Sequence, residues 1–572
     1  MWRSLRRRVT LAFLVSYEWI LGRLGRVPDY GVLFLELAGD LAEDGRDGRF
    51  PPWLRRPSTD YLSLVGTLRW AREDERLGAV MIRCGHLGAS WARIQGLRRS
   101  LLALRAAGKK VWVHLESAGL PEYYLATAAD RISVTSAGSL EIVGLSSESM
   151  FLLDALETVG VRADIVHVGA YKAAGEMFTR REMSVAHREM MESLIDDLYG
   201  QVVEDVAAAR DLDVAALRTI FDGGPFLAGE ALDRGLIDAV EYGDETESAL
   251  EETLDGAARI EAGHYAKRRS RAMRRRLLRS APHRVAIVHI NGTINMEEGA
   301  PAPLSRGRGA SSAGLKKCLE QVRERKDIEA VVVRVASPGG SGLASDLIWR
   351  ELTRTAQDKP LFVSFGDVAA SGGYYVAMAG RKVFAEPGTI TGSIGVIAGK
   401  ANLKGLYEKL GVRKETISRG RHAALYSDYV PLGESERERI QTEAQAFYDD
   451  FVAKVAAGRK MTTREIEAVA QGRVWTGRQA WSRGLVDELG GVEEALDDAK
   501  RSIGLDSGAA VTVDRYPKPQ SFWRAALGGR RGGRAAMRGS GILGSVPQVP
   551  EWARALTRDR VWALLPFDFR IR

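Results

Sequence analysis

The chain has 572 residues, 45% hydrophobic and 27% charged, with a net charge of +8 at pH 7. That length exceeds what one hydrophobic core serves, so two or more domains are required, and the composition is that of a globular protein. The basic excess is local and no zinc-finger spacing or aromatic–basic RNA signature accompanies it, so no nucleic-acid partner is expected. The two cysteines, Cys84 in a strand pattern and Cys318 on a helix pattern, read as buried small hydrophobes rather than a disulfide or a metal site.

In chain order, residues 1–28 come first. Arg3, Arg6, Arg7 and Arg8 precede a mostly apolar run from Val9 to Leu21 that contains Glu18. A spanning helix needs roughly 20 apolar residues, so this segment is expected to be a marginal anchor or an amphipathic helix. A first unit is expected over 29–263. It opens with the strand Gly31-Val-Leu-Phe-Leu-Glu-Leu37, followed by a helix pattern at 61–75 and a buried strand, Ala79-Val-Met-Ile-Arg83. Another helix leads to Lys110-Val-Trp-Val-His-Leu115, and a long polar helical stretch spans 184–210. Residues 264–283 are arginine-rich and are expected to be a linker, solvated or in contact with anionic lipid.

A second unit over 284–515 repeats the first. Arg284-Val-Ala-Ile-Val-His-Ile290 opens it, a helix pattern follows at 314–325, and then the strands Ala330-Val-Val-Val-Arg334 and Pro360-Leu-Phe-Val-Ser-Phe365. A long helix is expected at 434–459. Strands alternating with helices imply βαβ crossovers and a largely parallel sheet covered on its faces. Residues 516–572 are expected to form a flexible tail, with Gly and Arg crowded at 528–534, although Val561-Trp-Ala-Leu-Leu-Pro-Phe-Asp-Phe569 is apolar enough to dock.

At an offset of 251, Tyr374-Tyr375 overlays Tyr123-Tyr124, and Arg334 overlays Arg83. The same offset sets Ser371 against Leu120 and Lys172 against Ala423. The second half therefore keeps a serine without the lysine, and the first half keeps a lysine without the serine.

Ser371-Gly-Gly373 follows a strand and precedes the apolar run Tyr374-Tyr-Val-Ala-Met-Ala379. A serine there is either a helix N-cap or a nucleophile beside free backbone N–H groups. Ser337-Pro-Gly-Gly-Ser341 follows the other buried strand; it is a tight turn or a loop whose amides approach a ligand. A nucleophilic serine needs a base, and the candidates are His422 and Lys172, the latter only if burial suppresses its charge.

The phrases Arg334-Val-Ala-Ser-Pro-Gly-Gly-Ser341, Ala369-Ala-Ser-Gly-Gly-Tyr-Tyr375, Thr391-Gly-Ser-Ile-Gly-Val396 and Gly169-Ala-Tyr-Lys172 closely resemble the long, two-repeat signal peptide peptidase A family, over roughly residues 29–505. The resemblance implies an α/β fold made of two tandem Clp/crotonase-type domains, each a ββα superhelix. It implies Ser371 as nucleophile, Lys172 as general base, Gly340 and Gly372 as oxyanion donors and Ser393 as the hydroxyl that orients the lysine. Ala336 departs from the Asn that this family usually carries there.

The resulting expectation is a membrane-associated serine endopeptidase that degrades cleaved signal peptides or similar apolar peptides. No cofactor and no metal are expected. Its partners would be peptide substrates, membrane lipid and further copies of itself in a ring. Its place would be the inner membrane with the catalytic part outside the cytoplasm, or else the cytoplasm. The rival readings are a crotonase-type acyl-CoA hydrolase or isomerase and a non-catalytic membrane scaffold.

Overall fold

The computed structural model describes residues 31–44, 59–279, 283–297, 309–518 and 561–564. The expected anchor at 1–28 and the Gly/Arg-rich run at 528–534 lie outside the described residues.

Two sheets of matching order form the bodies of the two repeats. In the first, Ala239–Val240, Arg131–Val134, Lys110–Leu115, Leu77–Gly88, Gly31–Ala42 and Arg259–Glu261 lie side by side, all parallel. In the second, the matching order is Glu488–Leu489, Val383–Ala385, Leu361–Ala370, Ile328–Ser337, Arg284–Asn291 and Thr512–Tyr516, all parallel. The far end of Leu361–Ala370 also pairs with Ile390–Gly392, which carries the antiparallel Val474–Thr476. The central strands are continuous apolar runs because helices cover both faces; Val331, Val332 and Val333 are all fully buried. The chain is thus a tandem pair of mixed α/β domains dominated by parallel strands.

Helix starts follow local chemistry. Asp60 accepts from Leu62 N at 3.2 Å to begin the Tyr61–Glu73 helix, and Ser341 accepts from Ala344 N to begin Gly342–Asp358. The long helices Val185–Arg210 and Glu434–Arg459 occupy equivalent places, and each ends at a left-handed residue, Asp211 and Lys460.

The repeats are joined by buried charge. Arg334 is 1% exposed; its Nε donates to Glu43 Oε1 at 2.5 Å and its Nη1 to Ser364 Oγ at 2.8 Å. Arg93 Nε donates to Asp367 Oδ1 at 2.9 Å, and Arg99 pairs with the buried Glu386. Removing one partner of such a buried pair costs about 3–5 kcal/mol, because the other charge is left without water or counterion.

A third sheet crosses between the repeats. Arg162–Val168, from the first, pairs antiparallel with Val396–Asn402, from the second, over seven register positions. At the 251 offset each strand lacks a strand counterpart: 413–419 and 145–151 are irregular apart from an isolated bridge. Each repeat therefore supplies one strand that the other does not form.

Two expectations change. The arginine-rich stretch expected as a linker is largely the Ala262–Arg279 helix, tied down at its start by the buried Tyr265, whose hydroxyl donates to Trp70 O at 3.0 Å. Within the expected flexible tail, Val561–Leu564 is a strand in the third sheet. Cys84 and Cys318 are both free and buried, and burial raises both thiols, Cys318 to about 12.

Candidate active site at the junction of the two repeats

Ser371 terminates the central Leu361–Ala370 strand and has φ 55° and ψ −116°. A non-glycine residue in that region costs of order 1–3 kcal/mol, so the fold must hold it there. Its N–H donates to Gly392 O and its carbonyl accepts from Tyr375 N, both at 2.8 Å. Ser371 occupies the N-cap position of the Gly372–Ala377 helix, yet its side chain makes no capping bond. The hydroxyl is used elsewhere.

It meets Lys172. Lys172 Nζ lies 2.8 Å from Ser371 Oγ, 2.8 Å from Ser393 Oγ and 3.0 Å from Ser393 O, all within one chain. The lysine is 2% exposed and both serines are fully buried. Among the described residues no carboxylate faces the amine, and burial alone holds its pKa well below the usual lysine value. A neutral amine has two N–H donors and one lone pair. In that form the Ser393 carbonyl and hydroxyl would take the two N–H groups, and the lone pair would face Ser371 Oγ.

The glycines come from close approach. A Cβ on Gly340 would lie 2.1 Å from Ile294 O, and one on Gly372 would lie 2.4 Å from Ser345 Oγ and 3.3 Å from Gly340 N. Gly340 and Gly372 are therefore neighbours beside Ser371. Ser337 Oγ accepts from Gly339 N at 3.1 Å, which stiffens the turn from within, although Ala336 stands at the preceding position.

His422 is not part of this cluster. Its Nε2 is 2.9 Å from Ser435 Oγ.

Sequence reasoning missed the segment that docks the lysine loop. Gln471 O accepts from Tyr171 N at 2.8 Å, Gly472 N donates to Ile394 O at 2.7 Å, and Arg473 O accepts from Ser393 N at 2.7 Å. A Cβ on Gly472, whose φ is +79°, would sit 2.6 Å from Lys172 Cβ. Three consecutive residues thus fasten Lys172 from one side and Ser393 from the other. The available signal was the Gln471-Gly472 dipeptide, one residue before the Val474-Trp-Thr-Gly477 phrase. A small apolar pocket of about 60 Å³ also opens behind the interrepeat strands, lined by Leu156, Val161, Ile165, Phe178, Ile397 and Ala398 among others.

The family model for peptidase family S49 matches this chain twice, at residues 103–256 and 353–506, together more than half of the sequence. The chain belongs to peptidase family S49. The serine protease SPPA, chloroplastic, of Arabidopsis thaliana is 33% identical over 525 residues, covering 91% of this chain and 76% of that protein. Protease 4 of Haemophilus influenzae is 29% identical, covering 84% and 80%, and Protease 4 of Salmonella typhi is 29% identical, covering 82% and 78%. Among solved structures, a ClpP1 point mutant from Listeria monocytogenes overlaps 36% of this chain and 90% of its own at 17% identity, with a TM-score of 0.24, too loose to carry an argument. The S49 chain described here is a serine peptidase, which displaces both the acyl-CoA and the scaffold readings.

Proposed function

We propose that this S49 peptidase is an endopeptidase that cuts extended apolar peptides, cleaved signal peptides among them, with Ser371 as nucleophile and Lys172 as general base. The observation that carries the reading is the buried, carboxylate-free amine 2.8 Å from the serine hydroxyl. Neutral Lys172 takes the Ser371 proton as Oγ attacks the scissile carbonyl carbon. The carbonyl oxygen becomes an oxyanion held by the N–H groups of Gly340 and Gly372. Collapse breaks the C–N bond, and the Lys172 ammonium returns the proton to the leaving amine. An ester to Ser371 remains. Water, deprotonated by Lys172, attacks it, and the acid product leaves as the proton goes back to Oγ. Ser393 fixes the amine by two contacts throughout. The small apolar pocket beside 397–401, on the strand that leads out of the Ser393 loop, suits a small apolar side chain.

Membrane association and ring assembly belong to the same proposal. Among the described residues, no helix is long and apolar enough to cross a membrane. The support lies in the basic, apolar N-terminal sequence and in the basic Ala262–Arg279 helix, both suited to an anionic lipid surface.

A fluorophosphonate probe tests the assignment. It is expected to label the native chain at Ser371, and to label neither Ser371→Ala nor, at a comparable rate, Lys172→Ala. Labelling of Ser371→Ala at the native rate, or of another residue in the native chain, contradicts it.

A further inference from the structure

The strand Val561–Leu564 lies between two segments that both flank the reacting serine. On one side it pairs antiparallel with Gly339–Ser341, setting Leu564 against Gly339, Ala563 against Gly340 and Trp562 against Ser341. On the other it pairs antiparallel with 396–402, setting Trp562 against Ile397 and Val561 against Ala398. Gly340 is the residue against which Gly372 packs, and the 396–402 strand leads directly out of the Ser393 loop. The chain's own carboxy-terminal segment thus runs in an extended form past Ser371, with a neighbour strand on each edge.

We infer that Val561–Leu564 is an intramolecular ligand of the peptide-binding groove, seated where an extended substrate would lie; the inference rests on the endopeptidase reading. Three features favour it over a purely structural strand. Binding is by main-chain pairing on both edges, the way an extended peptide adds to a sheet, and pairing of that kind accepts many sequences. The segment Val-Trp-Ala-Leu is uncharged and apolar, the composition argued for substrates, and its small Ala563 stands opposite the oxyanion glycine. Val561–Leu564 belongs to the same chain as the groove it occupies, so it competes with an added peptide intramolecularly. An added peptide has to displace it, and a groove free for a fraction of the time raises the apparent dissociation constant by the inverse of that fraction.

The test follows amide exchange in the full chain carrying Ser371→Ala, with and without Ala563→Pro. Proline removes an N–H and does not sit inside a strand paired on both edges. Exchange at Gly339–Ser341 and at 396–398 is expected to become at least about tenfold faster in the proline chain, the protection of the Ile328–Ser337 strand staying the same. Equal protection of Gly339–Ser341 in both chains overturns the inference. With Ser371 restored, Ala563→Pro is expected to lower KM for an added apolar peptide, about tenfold if the tail holds the groove nine-tenths of the time. An unchanged or raised KM also overturns it. The exchange comparison needs no nucleophile, so its failure is separate from a loss of probe labelling, which would overturn the peptidase mechanism instead.

Discussion

At the strand-to-helix junction the second repeat carries Ser371-Gly372-Gly373, and the first carries Leu120-Pro121-Glu122 at the 251 offset. The difference is larger than one missing hydroxyl. Pro121 has no N–H to offer an oxyanion. Glu122 is 1% exposed, and its carboxylate accepts from Leu87 N at 2.7 Å and from Gly119 N at 3.1 Å. The amides that could have faced a ligand in the first repeat are closed by an internal acceptor, whereas the second repeat keeps its glycines and its turn. What the first repeat contributes instead is the Arg162–Val168 strand and, after it, Lys172. On the proposed mechanism, each copy of the duplicated fold holds half of the reacting pair.

The comparison is broken most severely by Ser371→Ala. Loss of peptide hydrolysis by at least about 10⁴-fold in kcat is expected, with the circular dichroism of the folded chain retained. Lys172→Ala and Lys172→Arg come next, each costing about 10²–10⁴-fold, because a guanidinium stays charged and cannot accept the serine proton. A Lys172→Arg chain as active as the native one would remove the lysine from the mechanism. Gly472→Ala sharpens the docking argument. Its Cβ must displace Lys172 or the backbone beside it, and a misplacement of about 1 Å is expected to lower kcat roughly 10²-fold without loss of fold; an unaffected kcat would show that the segment is mere scaffolding.

The pH dependence has a definite sign. Burial lowers the Lys172 pKa, and the proposed mechanism works through the neutral amine. Activity therefore rises with pH through that depressed pKa and holds above it. In the same window the unfolded chain binds a proton that the folded chain has released, so Lys172 makes folding more favourable as pH rises toward the ordinary lysine value of 10.5. His422→Ala is expected to leave the profile unmoved; a profile that lost its inflection in that variant would point to the wrong base. The smallest effect is expected from Leu120→Ser placed in the Ser371→Ala chain. It should restore no measurable hydrolysis, since Pro121 and Glu122 still close the first junction.

Much of this was legible in the sequence because it depends on local pattern. Buried strands such as Ala330–Val335 read as continuous apolar runs, and the helix over 434–459 agrees with the observed Glu434–Arg459. The glycines and serines of the second repeat stood out because small residues at strand ends mark places where backbone must come close. Pairing Lys172 with Ser371 was a different matter. The two are 199 positions apart, and only the resemblance linked them. Spacing could not say that the pair forms inside one chain, because that depends on the antiparallel register of Arg162–Val168 with Val396–Asn402. The role of Gln471-Gly472-Arg473 was hidden for the same reason: it acts by backbone carbonyls and a left-handed glycine. The apolar run from Val561 to Phe569 suggested docking, but composition could not name the sheet that residues 561–564 enter, because its two partner strands lie more than 150 positions away in sequence.

The central claim is that one chain supplies both halves of the reacting pair. Mixing Ser371→Ala chains with Lys172→Ala chains, under conditions where native copies exchange partners, tests it most directly. Each mixed molecule then holds a serine without its lysine or a lysine without its serine. Hydrolysis no faster than that of the two variants measured alone is the predicted result. Recovery of a substantial fraction of native activity would show that the serine of one chain works with the lysine of another, and would contradict the claim.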